Sequence, residues 1–320
     1  MSNPVINKKR FLPKGIRWIL FLAISVLFGR YVYINRSDFS ILNQIQWHFV
    51  YQIAVFLSVN YLVLSYRFFI TVKYFIPDFT FFQNFSYFVI GQLLGSIIPQ
   101  GSALYKSINM KIQNQLPYKR YLACHLFFYW INHLVTFLIG IIIVSHYDPH
   151  LIIGMFPILP ILSLVLASLV LVVPVTHFAH HFISRLGHKN SYVMEQIELT
   201  VQGFLFICKK PSIMVLNGIS ILINLLIETG LLIIIFGCFN VKFNISIICV
   251  FLILTKLSNA IIVTPGNFGI RELVFGFLTE SLGTSAAIGV SASLLLRVVN
   301  LMVLALFSTF CIVTEKLKKN

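Results

Sequence analysis

Between two long apolar runs the chain reads Thr264-Pro265-Gly266-Asn267-Phe268-Gly269-Ile270-Arg271-Glu272. Pro, two Gly and a vicinal Arg-Glu pair thus stand where the flanking sequence demands lipid. A bare amide in hydrocarbon costs several kcal/mol, so broken backbone at that depth must line a cavity or lie buried in protein. Charge at that depth marks a functional site by default. A second break, Pro99-Gln100-Gly101, lies about half a chain earlier. Interrupted apolar segments in corresponding places of two halves point to a transporter-type site.

Composition agrees with lipid as the solvent. Of 320 residues 58% are hydrophobic and 10% charged, against about 25% charged in soluble domains; the mean hydropathy is +0.90. The expectation is an all-α integral membrane protein. The net charge is +15, from 24 Lys+Arg and 9 Asp+Glu. The cations cluster beside apolar runs, as in cytoplasmic loops meeting anionic lipid. Nucleic acid would need a basic, aromatic-bearing soluble face, so no nucleic-acid partner is expected. Cys124, Cys208, Cys238, Cys249 and Cys311 form no CxxC and read as small hydrophobes. Lys8, Lys9, Arg10, Lys14 and Arg17 precede an apolar run from Trp18, but Gly29-Arg30-Tyr31 gives no small-residue cleavage site. An uncleaved first span is expected.

Apolar runs of about twenty residues place full spans near 16–34, 47–70, 121–145, 151–175, 211–238 and 284–313. Two further runs, 79–115 and 244–281, carry the breaks. The basic N-terminus is cytoplasmic by the positive-inside rule, and Arg67 with Lys73 returns the chain inside. The run 79–115 has basic flanks on both sides, with Lys106, Lys111, Lys119 and Arg120 following, so it reads as a re-entrant hairpin from the cytoplasm. The weakly charged loops at Tyr147-Asp148 and Phe239-Asn240-Val241-Lys242 fit the outside. Lys316, Lys318 and Lys319 require a cytoplasmic C-terminus, which makes 244–281 an opposed hairpin. The chain then divides into a first half of about 1–176, a cytoplasmic amphipathic linker of about 177–210, and a second half of about 211–320. His177, His180 and His181 in the linker suggest metal, but no Cys or acidic ligand accompanies them. A solvated helix lying on the membrane is the favoured reading.

Opposed hairpins imply an inverted repeat. Pro99 and Pro265 differ by 166, Lys106 and Arg271 by 165, His133 and Asn300 by 167. Both halves run apolar segment, Pro/Gly break, cation, polar stretch, long span. The hairpin tips are Pro99 with Gly101, and Pro265 with Gly266 and Gly269. Inverted repeats put the working site near the midplane between the halves.

Few residues there carry chemistry. Glu228 and Arg297 lie mid-span. An Arg at the bilayer centre costs roughly 2.5–3.5 kcal/mol even on the lenient insertion scale, so Arg297 needs a partner. Glu228, Glu272 and Asn300 are the candidates. Arg297 and Asn300 share a helix face, and Arg297 either pins the second hairpin to the last helix or binds an anion. Arg271-Glu272 opens a half-helix whose N-terminus suits an anion. Lys106 stands near the first break. His125 and His133 share one face and read as hydrogen-bonded packing residues or proton relays. No GxSxG, HExxH, Walker A or nucleotide-binding glycine motif occurs, and no catalytic, metal or cofactor site is expected. A metal-dependent transferase would want external carboxylates, and Asp38 and Asp148 are isolated there.

The stretch Ile261 to Ser308 resembles the flippase-like membrane domain of the lysylphosphatidylglycerol synthase family. Its members share a T-P-G-G-x-G-x-R-E-like signature, a Leu-Gly linker with a following Ala, and L-L-x-R-x-x-N. Here these read Thr264 to Glu272, Leu282-Gly283 with Ala286, and Leu295-Leu296-Arg297-Val298-Val299-Asn300. The first half departs from the family: Pro99-Gln100-Gly101-Ser102-Ala103-Leu104-Tyr105-Lys106 has no acid and Lys in place of Arg, and Tyr129-Trp130-Ile131-Asn132-His133 replaces an E-R-x-x-D-like pattern. The resemblance implies a multi-pass cell-membrane protein, both termini cytoplasmic, that translocates or redistributes an anionic phospholipid or polyprenyl-phosphate lipid. The aminoacyl-transfer domain of some members is not expected, as the chain ends at Asn320. Lipid/anion binding is expected at Arg271, Glu272, Arg297, Asn300, Glu228 and Lys106. Two other readings stand beside it: a membrane-embedded transferase acting on a lipid-linked sugar, and a non-catalytic partner subunit of an envelope-polymer assembly.

Overall fold

Apolar runs in lipid can satisfy their amides only by coiling into helices. The computed structural model describes residue 33 and residues 45–98, 100–153, 156–185, 192–260 and 267–317. In chain order these form α1 (Trp47–Lys73), α2 (Phe81–Ile97), α3 (Gly101–Asn114), α4 (Tyr118–Tyr147), a ribbon of β1 (Ile152–Ile153) and β2 (Phe156–Pro157), α5 (Ile158–Arg185), α6 (Tyr192–Cys208), α7 (Pro211–Gly237), α8 (Ile245–Ala260), α9 (Ile270–Ser281) and α10 (Ala286–Leu317). Five are long and apolar enough to cross a membrane: α1, α4, α7, α10 and the Ile158–Phe178 part of α5. The expected span 16–34, apart from Tyr33, and the tips Pro99, Pro265 and Gly266 lie outside the described residues.

Expected span 151–175 starts late. Residues 152–157 instead pair as an antiparallel ribbon, Ile152 with Pro157 and Ile153 with Phe156. The helix then begins at Ile158 with Pro160 in its first turn, where a missing N–H breaks no helical hydrogen bond.

Each broken run forms two helices. Thr80 caps α2, its hydroxyl accepting from the Gln83 amide at 3.3 Å while Gln83 Oε1 accepts from the Thr80 amide at 3.2 Å. The chain leaves α2 through Gln100 in the left-handed region (φ 61°). A Cβ on Gly101 would stand 2.8 Å from the Leu94 carbonyl oxygen, so only glycine fits where α3 begins. α3 folds back along α2, with Gly95 against Ser102, Gly91 against Lys106, and Tyr87 donating to Gln113 Oε1 at 2.5 Å. In the other run Phe251 of α8 meets Phe275 of α9 edge-on at 5.6 Å. α9 lies on α10, where Gly289 abuts the Phe275 carbonyl and the Thr279 hydroxyl.

The helices pair in a regular way. α1 packs on α7, α2 on α10, and α4 on α8; α1 also touches α2, α4 and α10, while α7 touches α8, α10 and α4. One apolar core runs across both halves, through Ile53, Phe88, Phe137, Phe236, Phe251 and Phe275. A second gathers Phe68, Phe127, Phe204 and Ile207. α6, the helical part of the expected linker, thereby lies on α4 and α5. Lipid offers helices little hydrophobic drive to associate, so polar contacts and small residues join them. Asn224 bonds Asn60, Asn217 reaches Thr71, and Asn84 donates to Ser65. Outward faces stay apolar, as at Leu226 and Leu306.

Candidate functional site

Where the two broken runs approach each other they leave a cavity of about 440 Å³. Every helix from α1 to α4 and from α7 to α10 contributes to its wall, whereas α5 and α6 do not. Its polar groups are amides and hydroxyls such as Asn60, Tyr61, Gln92, Asn132 and Asn300, together with His125 and His133. Its charged groups are Lys106, Lys256, Arg271 and Glu228.

The charges follow from how each helix is anchored. Gly269, at φ 85°, precedes α9, and its amide donates to Glu272 Oε2 at 2.7 Å. Glu272 is fully buried. Its Oε1 meets Arg297 Nε and Nη2, each at 2.9 Å, with the Ser293 hydroxyl at 3.5 Å. This carboxylate closes the glycine turn and ties α9 to α10. Of the three candidate partners for Arg297, Glu272 is the one that meets it. Because Glu272 turns toward α10, its neighbour Arg271 faces the cavity with no ion pair among the described residues, its guanidinium 5.5 Å from the Phe275 ring centre. Such a cation over a ring gains some quadrupole attraction but keeps its charge.

Lys106 is 6% exposed. Its ammonium lies 4.8 Å from the Phe88 ring centre and 5.7 Å from that of Phe68, with no carboxylate in contact among the described residues. Glu228 pairs with Lys256 at 2.6 Å. Asn300 accepts from the Tyr61 hydroxyl, which bonds α1 to α10. Of the residues expected at the site, Lys106, Arg271, Glu228 and Asn300 line the cavity. Glu272 and Arg297 stand behind its wall as a pair. Gly101 and Gly269 sit at the starts of α3 and α9.

Two residues were missed. Lys256 lies inside the apolar run 244–281, where the rule applied to Arg297 would have flagged it. Arg67, used in the sequence only to return the chain inside, is 0% exposed. It donates to Asn132 Oδ1 at 2.9 Å and stacks 4.7 Å from the Phe128 ring centre, while Nε and Nη2 have no hydrogen-bond partner among the described residues. This bond orients the Asn132 amide so that its oxygen faces Arg67. Among the described residues no three His, Cys, Asp or Glu side chains come together as a metal site.

Chemically, the wall offers cations from both halves and many neutral hydrogen-bond donors. It suits a small anion whose remainder extends away from the charged groups. No curated protein and no solved structure matches the chain. The family model for the lysylphosphatidylglycerol synthase TM region matches residues 18–308, taking in every described helix up to the last turns of α10, and the chain belongs to that family.

Proposed function

We propose that this multi-pass membrane protein is a flippase-like translocator of an anionic lipid, a phospholipid or a polyprenyl phosphate. One observation carries the reading: Lys106 and Arg271, each on the helix that follows a break, face one cavity with no carboxylate among the described residues bound to either. A phosphate held between them would bridge the two halves, with its tails left in lipid.

Packing supports an inverted repeat. Exchanging α1–α4 with α7–α10 maps α2 on α10 to α8 on α4, α1 on α10 to α7 on α4, and α2 on α3 to α8 on α9, and every one of these contacts exists. In our reading both broken runs are re-entrant hairpins, opened from opposite sides, and both termini are cytoplasmic. Rocking of one half against the other would then expose the cavity alternately. Neither the transferase nor the partner-subunit reading has a specific observation in its favour.

The test is a liposome assay. Reconstituted protein should move labelled phosphatidylglycerol or a polyprenyl phosphate between leaflets faster than protein-free vesicles. A hydrogen bond to a charged group contributes about 1.5–3 kcal/mol, so Lys106→Ala or Arg271→Ala should weaken capture about tenfold or more. If wild-type protein moves no anionic lipid, the reading fails.

A further inference from the structure

The wall of the cavity is over-supplied with positive charge. Among the described residues Lys106, Lys256 and Arg271 face one carboxylate, Glu228, an excess of two. Behind the wall Arg67 adds a further cation, bonded among the described residues to the neutral Asn132, while Arg297 is balanced by Glu272. Unbalanced charge in a low-dielectric interior is expensive, and the ligand is the natural counter-charge.

We infer that the cavity takes a lipid ending in a terminal phosphate, a phosphomonoester or diphosphate, in preference to a phosphodiester lipid. This rests on the anionic-lipid reading above and narrows it. A phosphodiester carries a single negative charge and would leave the wall under-compensated. A terminal phosphate carries about −1.5 to −2 near pH 7 and presents three strong acceptor oxygens. It matches the excess of two, and it has oxygens enough to meet Lys106 on α3 and Arg271 on α9 together while leaving one for Asn132. That amide has its oxygen held by Arg67, which leaves its NH₂ as the donor. Phosphatidic acid and polyprenyl phosphates both present this chemistry.

The test uses the full chain in detergent and a matched pair of probes, farnesyl phosphate and its methyl ester, whose tails are identical. Dissociation constants are measured at pH 5.5 and pH 8. The monoester should bind about tenfold more tightly at pH 8. The gap should close at pH 5.5, because the second proton of a terminal phosphate leaves near pH 6. His125, His133, Tyr61, Tyr129, Glu228, Lys106 and Lys256 also face the cavity; any proton they gain at pH 5.5 adds positive charge, which favours a dianion and would widen the gap, so its closing reports the phosphate itself. Phosphatidic acid and phosphatidylglycerol with common acyl chains repeat the comparison and identify the lipid source. Equal affinities for the two farnesyl probes at pH 8 would overturn the preference and leave the anionic-lipid reading standing. Absence of binding by all four probes would overturn both.

Discussion

Arg297 and Glu272 meet through one oxygen: Nε and Nη2 of the arginine both lie 2.9 Å from Oε1 of the glutamate. The other carboxylate oxygen holds the Gly269 amide. Two charges from different helices therefore fix the turn that sets Arg271 toward the cavity. Arg297→Ala should strand a buried carboxylate and destabilise the protein by roughly 3–5 kcal/mol. Glu272→Gln in the same background should recover much of that loss. Thermal unfolding of the four proteins of the double-mutant cycle in detergent checks this, and additive losses would show that the pair is uncoupled.

Glu228 and Lys256 form the one ion pair on the cavity wall among the described residues, at 2.6 Å with side chains 19% and 12% exposed. Removing its two ends should have opposite signs. Glu228→Gln raises the positive charge of the wall by one and should tighten binding of farnesyl phosphate several-fold. Lys256→Gln leaves a carboxylate facing the ligand and should weaken binding by about tenfold or more. Isothermal titration reads both, and weakening by Glu228→Gln would contradict the electrostatic picture.

Topology is open to chemical labelling. Ile112 near the end of α3 is 73% exposed. In a background without native cysteines, Ile112→Cys and Lys316→Cys should both be protected from an impermeant thiol reagent applied outside. Lys242→Cys, in the loop after α7, should react. Reaction at Ile112→Cys would mean that the first broken run crosses the membrane completely.

Close packing of α9 on α10 depends on Gly289. A Cβ there would collide with the Phe275 carbonyl oxygen and the Thr279 hydroxyl, both on the neighbouring helix. Gly289→Ala should cost about 1–3 kcal/mol through overpacking and displace Arg271, lowering both the unfolding midpoint and lipid capture. Gly218→Ala, with open space around its Cβ, serves as the control and should lower neither.

The spans were legible because hydropathy is a local property: α1, α4, α7 and α10 fall where the apolar runs lie. The breaks were legible for the same reason, since Pro and Gly set close together in an apolar run are a local signal, although a single Pro174 or Gly289 stands inside α5 or α10 without ending it. Arg297 announced its need of a partner because no arginine sits mid-span without one. That its partner is Glu272 rather than Glu228 was not legible. It depends on how α9 turns back on α10, which brings residues 25 apart into contact. Lys256 escaped notice as the one cation within the apolar helix α8, and its partner lies on a preceding span. The burial of Arg67 was not legible, because charge bookkeeping along the chain orients a span without showing what a side chain packs against. Its aromatic neighbour Phe128 and its amide partner Asn132 come from α4, a contact made only on folding.

Among the described residues α5 packs chiefly on α4, α6 and the ribbon before it, and in its crossing part 11% of residues are buried. The covalent connection between the halves therefore runs round the rim of the bundle and leaves the seam unlatched. Most α5 side chains answer only to solvent chemistry, so Leu, Ile, Val and Phe there are interchangeable currency. That rim is where a bulky spectroscopic reporter can be attached while the working interior keeps its shape.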